Sequence, residues 1–182
     1  MPTIGLTGRI GSGKTTLGAY IQERYNFQKL SFVDKILIPE LRERKKTVNR
    51  KNLQQIGREL YLKYGDIEFT ELLLEGIDLT KKWIIDDIRY SSAANYIRNR
   101  FPNNFWLIGV KTNIEIRFQR VLVRGKEGKI SYEDFLKMDS APTEKQIEEV
   151  LSQADYLVEN NEALPELYQQ CDRIMEEIQD RF

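Results

Sequence analysis

Eight residues near the amino end, Gly8-Arg9-Ile10-Gly11-Ser12-Gly13-Lys14-Thr15, satisfy the pattern G-x-x-x-x-G-K-[ST]. With their flanks they constrain the fold more than any other feature of the chain. Ile4-Gly5-Leu6 before the loop reads as a buried strand, and Thr16 to Ile21 after it reads as the start of a helix with Leu17 and Ile21 on one face. Glycines between them reach positive φ without a Cβ clash, so backbone N–H groups turn inward around phosphate oxygens while the helix N-terminus adds partial positive charge. Gly8, Gly11, Ser12, Gly13 and Thr16 then belong to the cradle, Lys14 reaches the β and γ phosphates, and Thr15 offers a hydroxyl to Mg2+. The loop predicts ATP and Mg2+ as cofactors. The bland alternative, a glycine turn that merely caps a helix, sits poorly with the strand before it.

Strand and helix signals alternate from end to end. After a first helix at about 14 to 25, Phe27 to Val33 reads as a second strand with Asp34 at its end. Helical spacing then dominates: Ile36, Leu37 and Leu41 within 34 to 46, disturbed at Pro39, a second stripe of Leu53, Ile56, Leu60 and Tyr64, and a third of Phe69, Leu72 and Leu73 ending near Gly76. Trp83-Ile84-Ile85 is a short apolar run suited to a strand buried on both faces. A helix at about 91 to 100 leads to the strand Phe105 to Val110. Helix follows at 113 to 124, then a basic loop Arg124-Gly125-Lys126-Glu127-Gly128-Lys129, a charged segment, and a helix near 143 to 153. Tyr156-Leu157-Val158 is a last strand, and Leu164, Leu167, Tyr168, Cys171, Ile174, Met175 and Ile178 trace one stripe of a closing helix. Five strands separated by helices predict a three-layer α/β architecture, a five-stranded parallel sheet with helices on both faces. Ligands should bind beyond the strand C-termini.

Composition narrows the chemistry. The 28 lysines and arginines balance 28 aspartates and glutamates, so no global field draws the chain to nucleic acid or to an anionic membrane. There is no histidine and one cysteine, Cys171, which leaves carboxylates, lysines, tyrosines or the substrate itself to accept protons. No apolar window is long enough to cross a membrane, and a cytoplasmic protein is expected.

A phosphate loop needs a carboxylate at the tip of a neighbouring strand to hold Mg2+. Asp86, directly after Trp83-Ile84-Ile85, fits best, and strand alternation allows only one of Asp86 and Asp87 to face the loop. Arg89 then lies close enough to meet a second anionic ligand. Arg117, Arg120 and Arg124 recur at spacings of three and four along a helix that runs into the basic loop. They are either a solvated face or a lid that closes arginines over spreading phosphoryl charge, with Gly125 and Gly128 as hinges.

Gly5 to Thr15 strongly resembles the opening of dephospho-CoA kinases, within the P-loop nucleotide kinases. Arg120-x-x-x-Arg124 resembles that family's lid arginines, and Ala154 to Asn160 its late strand, which implies an adenine-side position for Asn160. Asp34 matches the position of its catalytic carboxylate. Ile84 to Arg89 is more similar to the Asp-x-x-Arg segment of archaeal adenylate-kinase-related proteins and phage deoxynucleoside monophosphate kinases, and Tyr64-Gly65 also resembles the archaeal group. The His-Pro motif usual in dephospho-CoA kinases is absent, and where related lids carry an arginine before an aspartate this chain has Met138-Asp139.

The resemblance implies a P-loop NTPase fold in a single domain, 1–182, with a helical acceptor-binding region at about 35–78 and a lid at about 124–143. It implies a phosphotransferase moving the γ-phosphoryl of Mg-ATP to a small nucleotide. Lys14, Asp34, Arg120 and Arg124 would be catalytic. A nucleoside monophosphate held by Asp34, Arg58 and Arg89 is preferred narrowly; a ribose hydroxyl, with Asp34 as base, is the alternative, and Lys35 and Arg42 could serve either. A regulatory GTPase or ATPase is the different-class alternative, and the lack of an Asn/Thr-Lys-x-Asp or Asp-x-x-Gly element counts against the GTPase.

Overall fold

In a computed structural model the protein is described over residues 1–125, 128 and 130–181, with backbone alone at 50, 142 and 143. The basic-loop residues Lys126, Glu127 and Lys129 lie outside the described residues.

Five strands form one parallel sheet: β1 (Thr3–Thr7), β2 (Gln28–Leu30), β3 (Trp83–Ile85), β4 (Phe105–Lys111) and β5 (Tyr156–Glu159). Their order is β2-β3-β1-β4-β5, with every neighbouring pair parallel. β1 is central because it is buried at every position, and a strand with no solvent-facing side chain can only sit inside the sheet.

The period-two alternation of the strands sorts side chains between two layers. Ile4, Leu6, Ile84, Trp106 and Ile108 pack with Leu17 and Ile21 of α1 (Lys14–Tyr25) and with Leu167, Cys171, Met175 and Ile178 of the closing helix, Leu164–Gln179. On the opposite face Leu30, Ile85, Phe105 and Leu107 meet Leu73, Ala93, Ile97 and Val150. Gly5 is the exception: a Cβ there would stand 2.6 Å from Ile88 Cδ1 and 2.7 Å from the Phe105 ring, so only glycine lets them close over β1.

Three departures from the expected elements have local causes. β2 stops at Leu30 rather than Val33, because the chain enters a π-helical turn over Val33–Leu37, with Lys35 N donating to Ser31 O at 3.0 Å. Pro39 does not interrupt a helix; it lies in the opening turn of α2 (Ile38–Glu43), where its missing N–H costs nothing. The two apolar stripes between 53 and 73 lie on one element, α3 (Arg50–Leu74), broken at Gly65 with φ 74 and ψ 179. Leu37 and Leu41 pack on Ile56 and Leu60 as a small satellite core.

α4 (Ser91–Arg100) and α5 (Ile114–Arg124) follow β3 and β4. The charged segment after the basic loop is helical: α6 (Tyr132–Asp139) is capped by Ser131, whose hydroxyl accepts from Asp134 N, and α7 (Pro142–Ser152) follows directly. The closing helix is α8. No described helix is long and apolar enough to cross a membrane.

Candidate active site

The loop after β1 takes the backbone its glycines allow, with φ of 149 at Gly8, 79 at Gly11 and 100 at Gly13. Gly11 and Gly13 cannot be replaced, since a Cβ at Gly13 would stand 2.1 Å from Asn160 Nδ2 and one at Gly11 2.7 Å from Arg117 O. Lys14 curls back over the loop and donates to Gly8 O and, at 3.3 Å, to Arg9 O. Thr15 is exposed at the first turn of α1, with Thr16 half-buried behind it. Ser12 is buried and its Oγ has no hydrogen-bond partner among the described residues. A buried polar atom left without a partner is costly and points to something that binds there.

β3 delivers its two carboxylates in opposite directions. Asp86 pairs with Lys29 on β2 at 2.8 Å. Asp87 reaches the loop, with Oδ1 3.5 Å from Lys14 Nζ and Oδ2 accepting from Arg89 Nε at 2.8 Å. The expectation that Asp86 would face the loop is therefore corrected to Asp87. The backbone departs from the extended conformation at the same point: the strand ends at Ile85 and Asp87 has a left-handed φ of 65, so strand alternation no longer governs its side chain. Burial opposes ionisation of Asp87, but Arg89 and Lys14 outweigh it and hold its carboxyl below the usual range.

The arginines of α5 separate into distinct roles. Arg117 is buried and donates to both carboxylate oxygens of Asp139, at 2.5 and 2.9 Å, and to Ile10 O and Thr112 O. It ties α6 to the phosphate loop. Arg120 points its Nη1 toward Gly13, 3.9 Å from where a Cβ there would stand, and that nitrogen is buried without an acceptor among the described residues. Its Nη2 donates to Asn160 Oδ1 at 3.3 Å, and burial lowers its pKa. Arg124 is exposed at the end of α5. Asn160, buried, gives its side chain to the loop, Nδ2 donating to Ser12 O at 2.8 Å.

Several groups carry no sequence signal that spacing alone could expose. Arg9 donates to Glu148 and to Asp139, at 2.7 and 2.9 Å. Glu144, in the first turn of α7, accepts from Ile10 N at 3.1 Å and from Arg89 Nη1 at 2.7 Å. The contacts with the phosphate loop each bridge more than a hundred residues of chain, and the Arg89–Glu144 pair bridges 55. The acceptor-side expectations fare differently: Asp34 lies exposed in the π-helical turn, and Arg42 and Arg58 are exposed on α2 and α3. No hydrogen bond or ion pair joins these three to the phosphate loop among the described residues. Lys35 is committed elsewhere, donating to Leu73 O and Glu75 O at the end of α3.

The chain is 28% identical over 184 residues to a UPF0200 protein of Methanocaldococcus jannaschii, covering 98% of this chain and 91% of that one. It is 28% identical over 198 residues to a dephospho-CoA kinase of Aquifex aeolicus, covering 98% of each. The solved shikimate kinase of Bacteroides thetaiotaomicron superposes with a TM-score of 0.60 at 20% identity over 98% of both chains. The chain is P-loop-kinase-like. No family model matches it. The P-loop kinase fold, a five-stranded parallel sheet sandwiched by helices, is what the strand order and layers above already describe.

Proposed function

We propose that the protein is an ATP-dependent phosphotransferase that moves the γ-phosphoryl group of Mg-ATP to a small nucleotide acceptor. The observation that carries this reading is Arg120: a guanidinium nitrogen buried beside Gly13 with no acceptor among the described residues, on the same phosphate loop whose Ser12 Oγ is also buried and unpartnered. Burying such donors without a partner is expensive unless an anion completes them. The loop glycines, Lys14 and Arg120 together fit a triphosphate. Thr15 and Asp87 are the residues that would hold Mg2+, which when bound neutralises charge on the β and γ oxygens.

In the transfer step the acceptor oxygen bonds to the γ phosphorus as the bond to the β,γ-bridging oxygen breaks, and ADP leaves with that electron pair. A phosphate acceptor loses no proton. A hydroxyl passes its proton to a carboxylate, the part given to Asp34. The monophosphate reading asks Arg89 and Arg58 to hold a second phosphate. Arg89 already donates to Asp87 and Glu144, which favours the hydroxyl, and dephospho-CoA is an acceptor of that type.

An acceptor screen with labelled ATP tests the reading. Transfer should require an acceptor, and Lys14→Ala should abolish it. Asp34→Asn should cripple transfer to a hydroxyl and spare transfer to a monophosphate. ADP production that ignores every acceptor would point instead to a nucleotide-hydrolysing switch.

A further inference from the structure

Glu144 is buried to 6% exposure, yet it enters the cleft from outside the phosphate loop and from outside the strand tips. One oxygen takes the loop's Ile10 N–H and the other takes Arg89 Nη1, so a carboxylate of the chain itself stands where an anionic ligand of Arg89 would bind. With Asp87 on Nε of the same guanidinium, two carboxylates answer the two nearby cations, Lys14 and Arg89. The carboxylate is anchored from behind as well. α7 lies next to α6, whose Asp139 is gripped by Arg9 and Arg117, and Glu148 one turn along α7 is bound by Arg9.

We propose that Glu144 is a specificity-determining residue: its resident charge selects an acceptor whose reacting group is an uncharged hydroxyl and rejects a phosphomonoester. The physical reason is the dielectric. A phosphate brought within hydrogen-bond reach of Arg89 lies within a few ångströms of a buried carboxylate, where like charges repel far more strongly than at a surface. A hydroxyl meets no such repulsion. Rejection by like charge rather than by size is a form of negative selection open to any binding site. The idea deepens the phosphotransferase reading and rests on it for the word acceptor, but the charge competition at Arg89 can be measured without turnover.

The test compares wild type with Glu144→Gln, which keeps an oxygen for Ile10 N–H and removes the charge, and with Glu144→Ala as a second variant. With the phosphate loop saturated by a magnesium complex of a non-hydrolysable ATP analogue, calorimetric titration of inorganic phosphate and of nucleoside monophosphates should show at least about a tenfold gain in affinity for both variants. The gain should vanish in the Glu144→Gln, Arg89→Ala double variant. The melting temperature serves as the control for folding. In turnover, the ratio of kcat/KM for monophosphates over hydroxyl acceptors should rise by a similar factor. Unchanged phosphate affinity in both folded variants, or wild type using monophosphates as well as Glu144→Gln does, overturns the proposal. If no variant transfers to any acceptor, the phosphotransferase reading fails while the phosphate titration still decides the role of Glu144.

Discussion

Asp139 shows how one residue can carry a reading that its neighbours in sequence conceal. Next to Met138 it looks like the remnant of a lid motif. In the folded chain it is 5% exposed and shared between Arg117 and Arg9. Burial opposes its ionisation, yet the two guanidinium groups hold its carboxyl below the usual range. A carboxyl depressed in this way stabilises the fold above its unfolded pKa of about 3.9, and the contribution is lost as the pH falls through the folded value. Asp139→Asn should therefore cost about 3 kcal/mol near neutral pH, the scale for breaking one side of a buried pair. Urea midpoints measured down to acid pH check both parts: the variant should lose stability at neutral pH and show a shallower acid limb. A neutral-pH midpoint equal to wild type would mean that Arg117 and Arg9 find other partners. Arg117 itself was legible as one of three arginines on a helix face, but its separation from Arg120 was not, because spacing places both on the same stripe and only their partners tell them apart.

Among the elements, α3 and the α6–α7 pair depart furthest from what periodicity suggests. The stripes of α3 were visible, but a single helix with one non-helical residue produces the same stripes as two helices. Gly65, at φ 74 and ψ 179, has a backbone open essentially to glycine alone, and a Cβ there would meet no atom within 4 Å. Gly65→Ala should lose about 1–3 kcal/mol through backbone strain with no steric component, measurable as a lower urea midpoint. A neutral result would show that the break can relax. Lys35 secures the end of α3, since its ammonium donates to the carbonyls of Leu73 and Glu75, and burial lowers its pKa. α6 is easily passed over because the charges of Glu133, Asp134 and Lys137 dominate a segment whose apolar residues, Tyr132, Phe135 and Leu136, span barely one helical turn. Its helix is secured by the Ser131 cap and by Phe135, which is fully buried.

For the whole molecule, the same loop that defines the fold should couple ligand binding to stability. Any ligand that binds only the folded form adds RT ln(1 + [L]/Kd), about 2.7 kcal/mol at a hundredfold excess over Kd. For a chain of this size that is a rise of roughly 5–10 °C in Tm. Thermal scans with and without Mg-ADP should show the rise in wild type and not in Lys14→Ala; no shift in well-folded wild type would remove the nucleotide from the account. The sequence by itself determined the phosphate loop, the alternation of strand and helix, and the apolar runs that make a parallel sheet buried on both faces, because each is written in contiguous residues and local periodicity. Only the tertiary structure decided that Asp87 rather than Asp86 meets Lys14, that Arg120 rather than Arg117 points an unpartnered nitrogen at the loop, and that Glu144 occupies Arg89. Those choices depend on a single left-handed residue and on pairings between distant parts of the chain, 55 positions for Arg89 and Glu144, and partners so far apart leave no spacing to read.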